Sequence, residues 1–231
     1  MERQPANTML PPRQPKTRRA DWHIPTALIV LSLIPVLGGA VRLTSLANRA
    51  TITPDNARFV LIPFPVVIHI IAASAFCLIG AFQFAPRFRQ RHPNWHRAAG
   101  RWLMVAGLIT AISGLWMTLF YPLPEALQGP LLCVVRLLVA AGIAIRIVLA
   151  WNTVRRKNIP AHRAWMMRAY ALGQGAGTQA LILLPYMLLV GQPNQITRDV
   201  LMTAAWLINV VFVEWLLRRR SAPAMTTVKP A

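Results

Sequence analysis

The chain has 231 residues, 55% of them hydrophobic, yet it carries 25 Lys and Arg against 6 Asp and Glu, a net charge of +19. A soluble domain of this size seldom joins so much apolar material to so one-sided a charge. A nucleic-acid-binding face would need a continuous basic stripe with interleaved aromatics, whereas these basic residues sit in short clusters between apolar runs, so nucleic acid is excluded as the expected partner.

Residues 1–21 mix Pro5, Pro11, Pro12 and Pro15 with Arg and Lys and cannot pack a core; they are expected to form a disordered basic cytoplasmic tail. They lack the compact basic region and small-residue cleavage site of a signal peptide. Six apolar runs follow, at Ile24–Val41, Val60–Phe84, Trp102–Tyr121, Leu131–Trp151, Met166–Val190 and Val200–Leu217. Each approaches or exceeds the roughly 20 helical residues that cross a hydrocarbon core. The expected fold is therefore all-α: a polytopic transmembrane helical bundle of six spans over residues 22–217, with a short basic tail at 218–231. Pro25, Pro35, Pro63, Pro65 and Pro185 are expected to start or kink helices, which membrane bundles tolerate where neighbours satisfy the freed backbone.

Orientation follows from the basic residues between the runs. One side collects Arg3, Arg13, Lys16, Arg18 and Arg19; Arg87, Arg89, Arg91, Arg97 and Arg101; Arg155, Arg156, Lys157, Arg163 and Arg168; and Arg218, Arg219, Arg220 and Lys229. The other side has Arg42, Arg49, Arg58 and Arg198. The positive-inside rule then predicts both termini in the cytoplasm. Trp22, Trp95, Trp102, Trp151, Trp165 and Trp215 fall at the same ends of the runs, where headgroups favour them. An anionic headgroup surface is the expected partner of this basic face.

Small residues mark close helix contacts. Gly100, Gly107 and Gly114 recur every seven residues, and Gly173–Gly177 is a GxxxG pattern, read first as intramolecular packing and second as a homodimer seam. Cys77 and Cys133 lie inside apolar runs near opposite faces of the membrane, so they are expected to be free thiols.

Ionisable groups within the runs are costly in lipid and are expected to face the bundle interior. His69 and Arg136 count to similar depth in the half away from the basic side. Arg146 and Glu214 match near the basic third, so an ion pair between them is expected, with Gln174 close in depth. Gln174, Thr178, Gln179 and Asn209, with His69, form either the lining of a small hydrated cavity or plain interhelical hydrogen bonds.

A second constellation opens two of the runs from the basic side: His92-Pro-Asn-Trp-His96-Arg97-Ala-Ala-Gly100-Arg101 and His162-Arg163-Ala-Trp165-Met-Met-Arg168-Ala-Tyr170. If their helices are adjacent, His96 and His162 face each other as axial ligands of a b-type haem, with Arg101 and Arg168 for its propionates. The competing readings are lipid headgroup binding and helix capping. No carboxylate or cysteine accompanies His92 and His96, so no metal site is expected. No GxSxG, HExxH, GxxxxGK[ST] or CxxC is present, which favours a non-enzymatic protein; an enzyme using His69 as a base is the remaining alternative.

His69, Gly80-Ala-Phe-Gln83-Phe84, His96-Arg97-Ala-Ala-Gly100-Arg101, His162-Arg163-Ala-Trp165-Met166-Met-Arg168-Ala-Tyr170-Ala, Asn209 and Glu214-Trp215 occur in this order. Over about residues 60–217 this closely resembles the bacterial membrane-protein family known as domain of unknown function 2306. The resemblance implies a membrane protein without an assigned activity. It picks out His69, Gln83, His96, Arg97, Arg101, His162, Arg163, Arg168 and Glu214. A looser likeness to cytochrome b561-type bundles accompanies the haem reading, from which this chain departs by placing its paired histidines at the interface. The expected function is binding of lipid or a small ligand, or passage of a solute, through a polar helix core; the alternative is a haem redox protein.

Overall fold

The computed structural model describes residues 22–49 and 51–221. The expected tail 1–21 and residues 222–231 of the C-terminal tail lie outside the described residues. Among the described residues the fold is all-helical: α1 (His23–Ala47), α2 (Ala57–Leu61), α3 (Pro63–Ala81, extended by a 3-10 turn at Phe82–Phe84), α4 (Pro86–Arg91), α5 (Pro93–Phe120), α6 (Pro130–Arg155), α7 (Ile159–Gly173), α8 (Gly175–Leu189) and α9 (Gln195–Ser221). Proline occupies the first or second position of α3, α4, α5, α6 and α7. There its missing N–H removes no helical hydrogen bond and its fixed φ favours the helix. Asn158 caps α7 by accepting from Ala161 N at 3.1 Å.

Among the described residues five helices are long and apolar enough to cross a membrane: His23–Ala47, Pro63–Phe84, Pro93–Phe120, Pro130–Arg155 and Gln195–Arg219. The remaining run, Met166–Val190, is not one helix. It divides into α7 and α8, each 15 residues long, which meet at Gln174. At about 1.5 Å per residue neither half alone reaches across a hydrocarbon core of about 30 Å. Helix ends also shift from the apolar runs. α5 begins at Pro93, so Trp102 lies inside it rather than at its end, 75% exposed on its outer face.

Helices α3, α5, α6 and α7 pack in that order into a ring closed by α7 against α3. Helix α1 lies on α3 and α8, while α9 lies on α6, α7 and α8. Inside the ring, Phe76, Met104, Ile147, Ala169 and Leu172 are buried. Outside, large apolar side chains are exposed on every long helix, among them Leu37, Ile112, Leu138, Leu188 and Val211. A water-soluble monomer does not carry apolar surface on this scale; lipid is the solvent these faces fit.

The sevenfold glycines divide by role. Gly107 sits against Ile147 and Phe76 where α5 meets α6 and α3, and Gly114 sits against His69, whereas Gly100 has open space where a Cβ would go. The GxxxG glycines are occupied within the chain, Gly173 by the Phe76 ring of α3 and Gly177 by Leu31 of α1. At the basic end, Trp22 meets Phe82 and Phe88, and Phe88 meets Trp95, joining the start of α1 to the α3–α5 connection.

Candidate functional site

Ending α7 in mid-bundle leaves carbonyls at its last turn short of helical partners. Side chains from two other helices reach them. Asn209 Nδ2 donates to Ala171 O at 3.0 Å, Trp206 Nε1 to Leu172 O at 3.2 Å and Cys77 Sγ to Gly173 O at 3.6 Å. The Asn209 amide is itself oriented by Thr178 Oγ1, which donates to Asn209 Oδ1 at 2.9 Å. Gln174, 4% exposed, fixes the break from the other side. Its Nε2 donates to Tyr170 Oη at 2.7 Å, and that hydroxyl donates to Cys77 O at 2.6 Å. The Ser32 hydroxyl is shared between Leu28 O at 2.8 Å and Gln174 Oε1 at 3.1 Å. The break is thus tied by side-chain hydrogen bonds to α1, α3 and α9.

Beside it lies a cavity of about 340 Å³, within the range of small-molecule sites. Leu172, Gly173 and Ala176 bring the break to its wall, and His69, Arg136, Gln179 and Tyr121 supply polar groups. Ser113 Oγ donates to Ile109 O at 2.6 Å, which leaves its lone pairs to accept from His69 Nδ1 at 3.0 Å. This network assigns the proton to Nδ1. Arg136 Nη1 donates to Gln128 Oε1, a neutral group. The nearest acid, Asp199, is 3% exposed and accepts from Gly129 N at 3.0 Å and Leu132 N at 3.1 Å, which caps α6 from α9. Gln179 Nε2 donates to Met202 O at 3.3 Å, and Tyr121 Oη to Ile62 O at 2.6 Å.

Of the expected polar-core residues, His69, Arg136 and Gln179 thus line one cavity; Gln174, Thr178 and Asn209 are consumed at the break. The expected Arg146–Glu214 ion pair is not formed. Glu214 is bound by Arg168 in a fork, Nε to Oε1 at 2.6 Å and Nη2 to Oε2 at 2.8 Å. Arg146 turns back to donate to Gly142 O of its own helix at 3.0 Å. The reason is that α7 starts at Ile159, which draws Arg168 into the bundle beside α9 at the depth of Glu214. Gln83 lies in the 3-10 turn after α3, with its Nε2 buried and unbonded.

His96 and His162 come within electrostatic range of each other at the basic end. His162 Nδ1 donates to Ala150 O at 2.9 Å, while His96 Nδ1 is buried without a partner. The residues around them do not fit a haem. Helices α5 and α7 occupy opposite corners of the ring, with α3 and α6 between them. Two turns inward, where a macrocycle held by both imidazoles would extend, Leu103 and Tyr170 pack with Phe76 and Phe84. Of the two arginines expected at its propionates, Arg101 is exposed and Arg168 is committed to Glu214.

Ser32, Ser113, Tyr121, Asp199 and Trp206 also build this region and were not singled out by sequence, and Tyr170 was quoted in a motif without a role. Ser, Tyr and Trp within apolar runs carry no mark of which neighbour they meet, and Asp199 reads as a loop acid until α9 is seen to begin at Gln195.

A family model described as "Predicted membrane protein (DUF2306)" matches residues 66–217. No curated protein and no solved structure matches the chain.

Proposed function

The chain belongs to the DUF2306 family of predicted membrane proteins, and on that premise we propose that it is a non-enzymatic, multi-pass protein that binds a small ligand beside its broken helix. The observation that carries this reading is the cavity of about 340 Å³ lined by both His69 and Arg136. Ionisable side chains are costly in a bilayer and persist where they face a cavity or a partner. Interrupted helices are tolerated at membrane depth where protein surrounds them or a cavity lies beside them, as at the binding sites of many transporters.

Counting α7 and α8 as one interrupted span gives six crossings, with both termini in the cytoplasm of a bacterial inner membrane by the positive-inside rule. The cavity, lined by Phe59, Tyr121 and Leu123, then lies in the half of the bundle away from the cytoplasm. The Arg-rich opposite end meets anionic headgroups.

Ala73 lines the cavity, and Ala73→Phe fills it without adding a polar group. Protein purified in mild detergent, extracted with solvent and examined by mass spectrometry should yield a small molecule enriched in the wild type. A monodisperse Ala73→Phe protein should lose it. An identical complement of bound molecules in the two proteins would count against the proposal.

A further inference from the structure

We infer that the ligand of this cavity is an anionic amphiphile: a carboxylate or phosphate group held at Arg136, on an apolar chain lying against the cavity wall. The inference rests on the ligand-binding reading above and adds the chemical class.

Charge supplies the first half. A guanidinium inside a membrane protein needs a counter-charge or a water-filled surrounding. Among the described residues Arg136 has a neutral glutamine as its hydrogen-bond partner, and of the charges that act on it Arg198 opposes Asp199, whose two oxygens accept from Gly129 N and Leu132 N at the start of α6. Further cations gather around the same end. Arg58 is 8% exposed, and its Nε is buried with no partner. The guanidinium carbons of Arg58 and Arg42 each lie 4.5 Å from the ring centre of Phe59, a cavity-lining residue. Arg58 also acts electrostatically on Tyr121, a second lining residue. Burial first, then Arg42, holds the Arg58 guanidinium below its ordinary pKa, partly offset by Asp55. Arg42 and Arg58, from the side with the fewest basic residues, thus stand on a lining ring of the cavity that Arg136 itself lines, and no carboxylate is among its lining in the described residues.

The wall supplies the second half. Ala111, Val139, Ala140, Ile143 and Met202 are apolar, and Thr110 and Thr118 have turned their hydroxyls back to their own helix carbonyls at 2.8 Å. A bare inorganic anion would leave this surface uncovered, whereas an apolar chain covers it.

Binding to the full-length protein in nanodiscs of zwitterionic lipid at pH 8 tests the inference with four probes: dodecanoate, dodecanol, phosphatidylglycerol and inorganic phosphate. Dodecanoate or phosphatidylglycerol should bind about tenfold or more tighter than dodecanol, the size of one charge-assisted contact. Arg136→Gln should reduce the preference for dodecanoate over dodecanol to about twofold or less, and Arg136→Lys should keep most of it. Displacement of dodecanoate by phosphatidylglycerol would place the ligand among bilayer lipids; its failure to compete would point to a single-chain acid, and both outcomes support an anionic amphiphile. Equal affinity for dodecanol and dodecanoate, both lost in Ala73→Phe, would overturn the charge while leaving the cavity reading intact. Phosphate binding as tightly as dodecanoate would overturn the apolar chain. Dodecanoate binding untouched by Ala73→Phe would remove the cavity reading itself.

Discussion

Gly177→Ala is expected to lower the stability of the purified protein by about 3 kcal/mol, the upper part of the range for overpacking a close-packed interior. A Cβ on Gly177 would fall well inside 3.0 Å of both the carbonyl oxygen and the side chain of Leu31. A crowded side chain could rotate away. A backbone carbonyl cannot, so α1 must move off α8, and with it the Ser32 hydroxyl that meets Gln174. Gly100→Ala is the matched control, because nothing lies within 4 Å of its Cβ position. Exchanging a helical glycine for alanine there should be neutral or stabilising by about 0.5–1 kcal/mol. Thermal unfolding in detergent, with size-exclusion profiles, reads both; equal destabilisation by the two substitutions would mean that α1 is not seated on α8 as described.

Gln174→Leu is expected to cost about 1–3 kcal/mol for the polar partners it leaves behind. The substitution keeps approximate bulk but removes the donor to Tyr170 Oη and an acceptor of Ser32 Oγ, all within the buried network of the break. Tyr170→Phe removes the hydroxyl that links Gln174 to Cys77 O. Because the two side chains share one hydrogen-bond chain, the double substitution should cost clearly less than the sum of the singles. Strict additivity in the melting data would show that the two act independently, contrary to the geometry.

Much of the architecture was legible because lipid imposes a simple rule: backbone crossing it must be helical, and long apolar runs announce the helices. Pro63, expected to start or kink a helix, starts α3, while Pro93 and Pro130 start α5 and α6 ahead of the apolar runs that begin at Trp102 and Leu131. The interruption of the fifth run was not legible from apolarity, since Ala-Leu-Gly-Gln-Gly-Ala-Gly is small and mostly apolar throughout. The usable signal was Gly173, Gly175 and Gly177 alternating about Gln174. Of these, Gly177 gives the close approach to α1, and Gly175 leaves room for the Trp206 indole.

Depth was likewise readable and azimuth was not. Counting helix rise grouped His69 with Arg136, which line one cavity. The same counting offered Glu214 an arginine on α6, yet the structure uses Arg168 on α7, because which faces of three helices meet depends on packing that one chain's spacing does not encode. Asp199 shows the limit most clearly. Its role as a cap for α6 depends on the close approach of α9 to the start of α6.

Adjacent residues of α5 distinguish a water-accessible cavity beside the break from a lipid-facing surface. Thr118 lines the cavity, while Leu119, one residue on at nearly the same depth, is 54% exposed on the lipid-facing surface. Thr118→Cys and Leu119→Cys, each made with Cys77 and Cys133 replaced by alanine, can be treated on intact cells with a membrane-impermeant maleimide, which reacts with a thiolate in water. Labelling is expected at position 118, diminished by a bound ligand, and little at position 119. Labelling at 119 equal to or above that at 118, or at 118 only after the cells are permeabilised, would contradict that expectation.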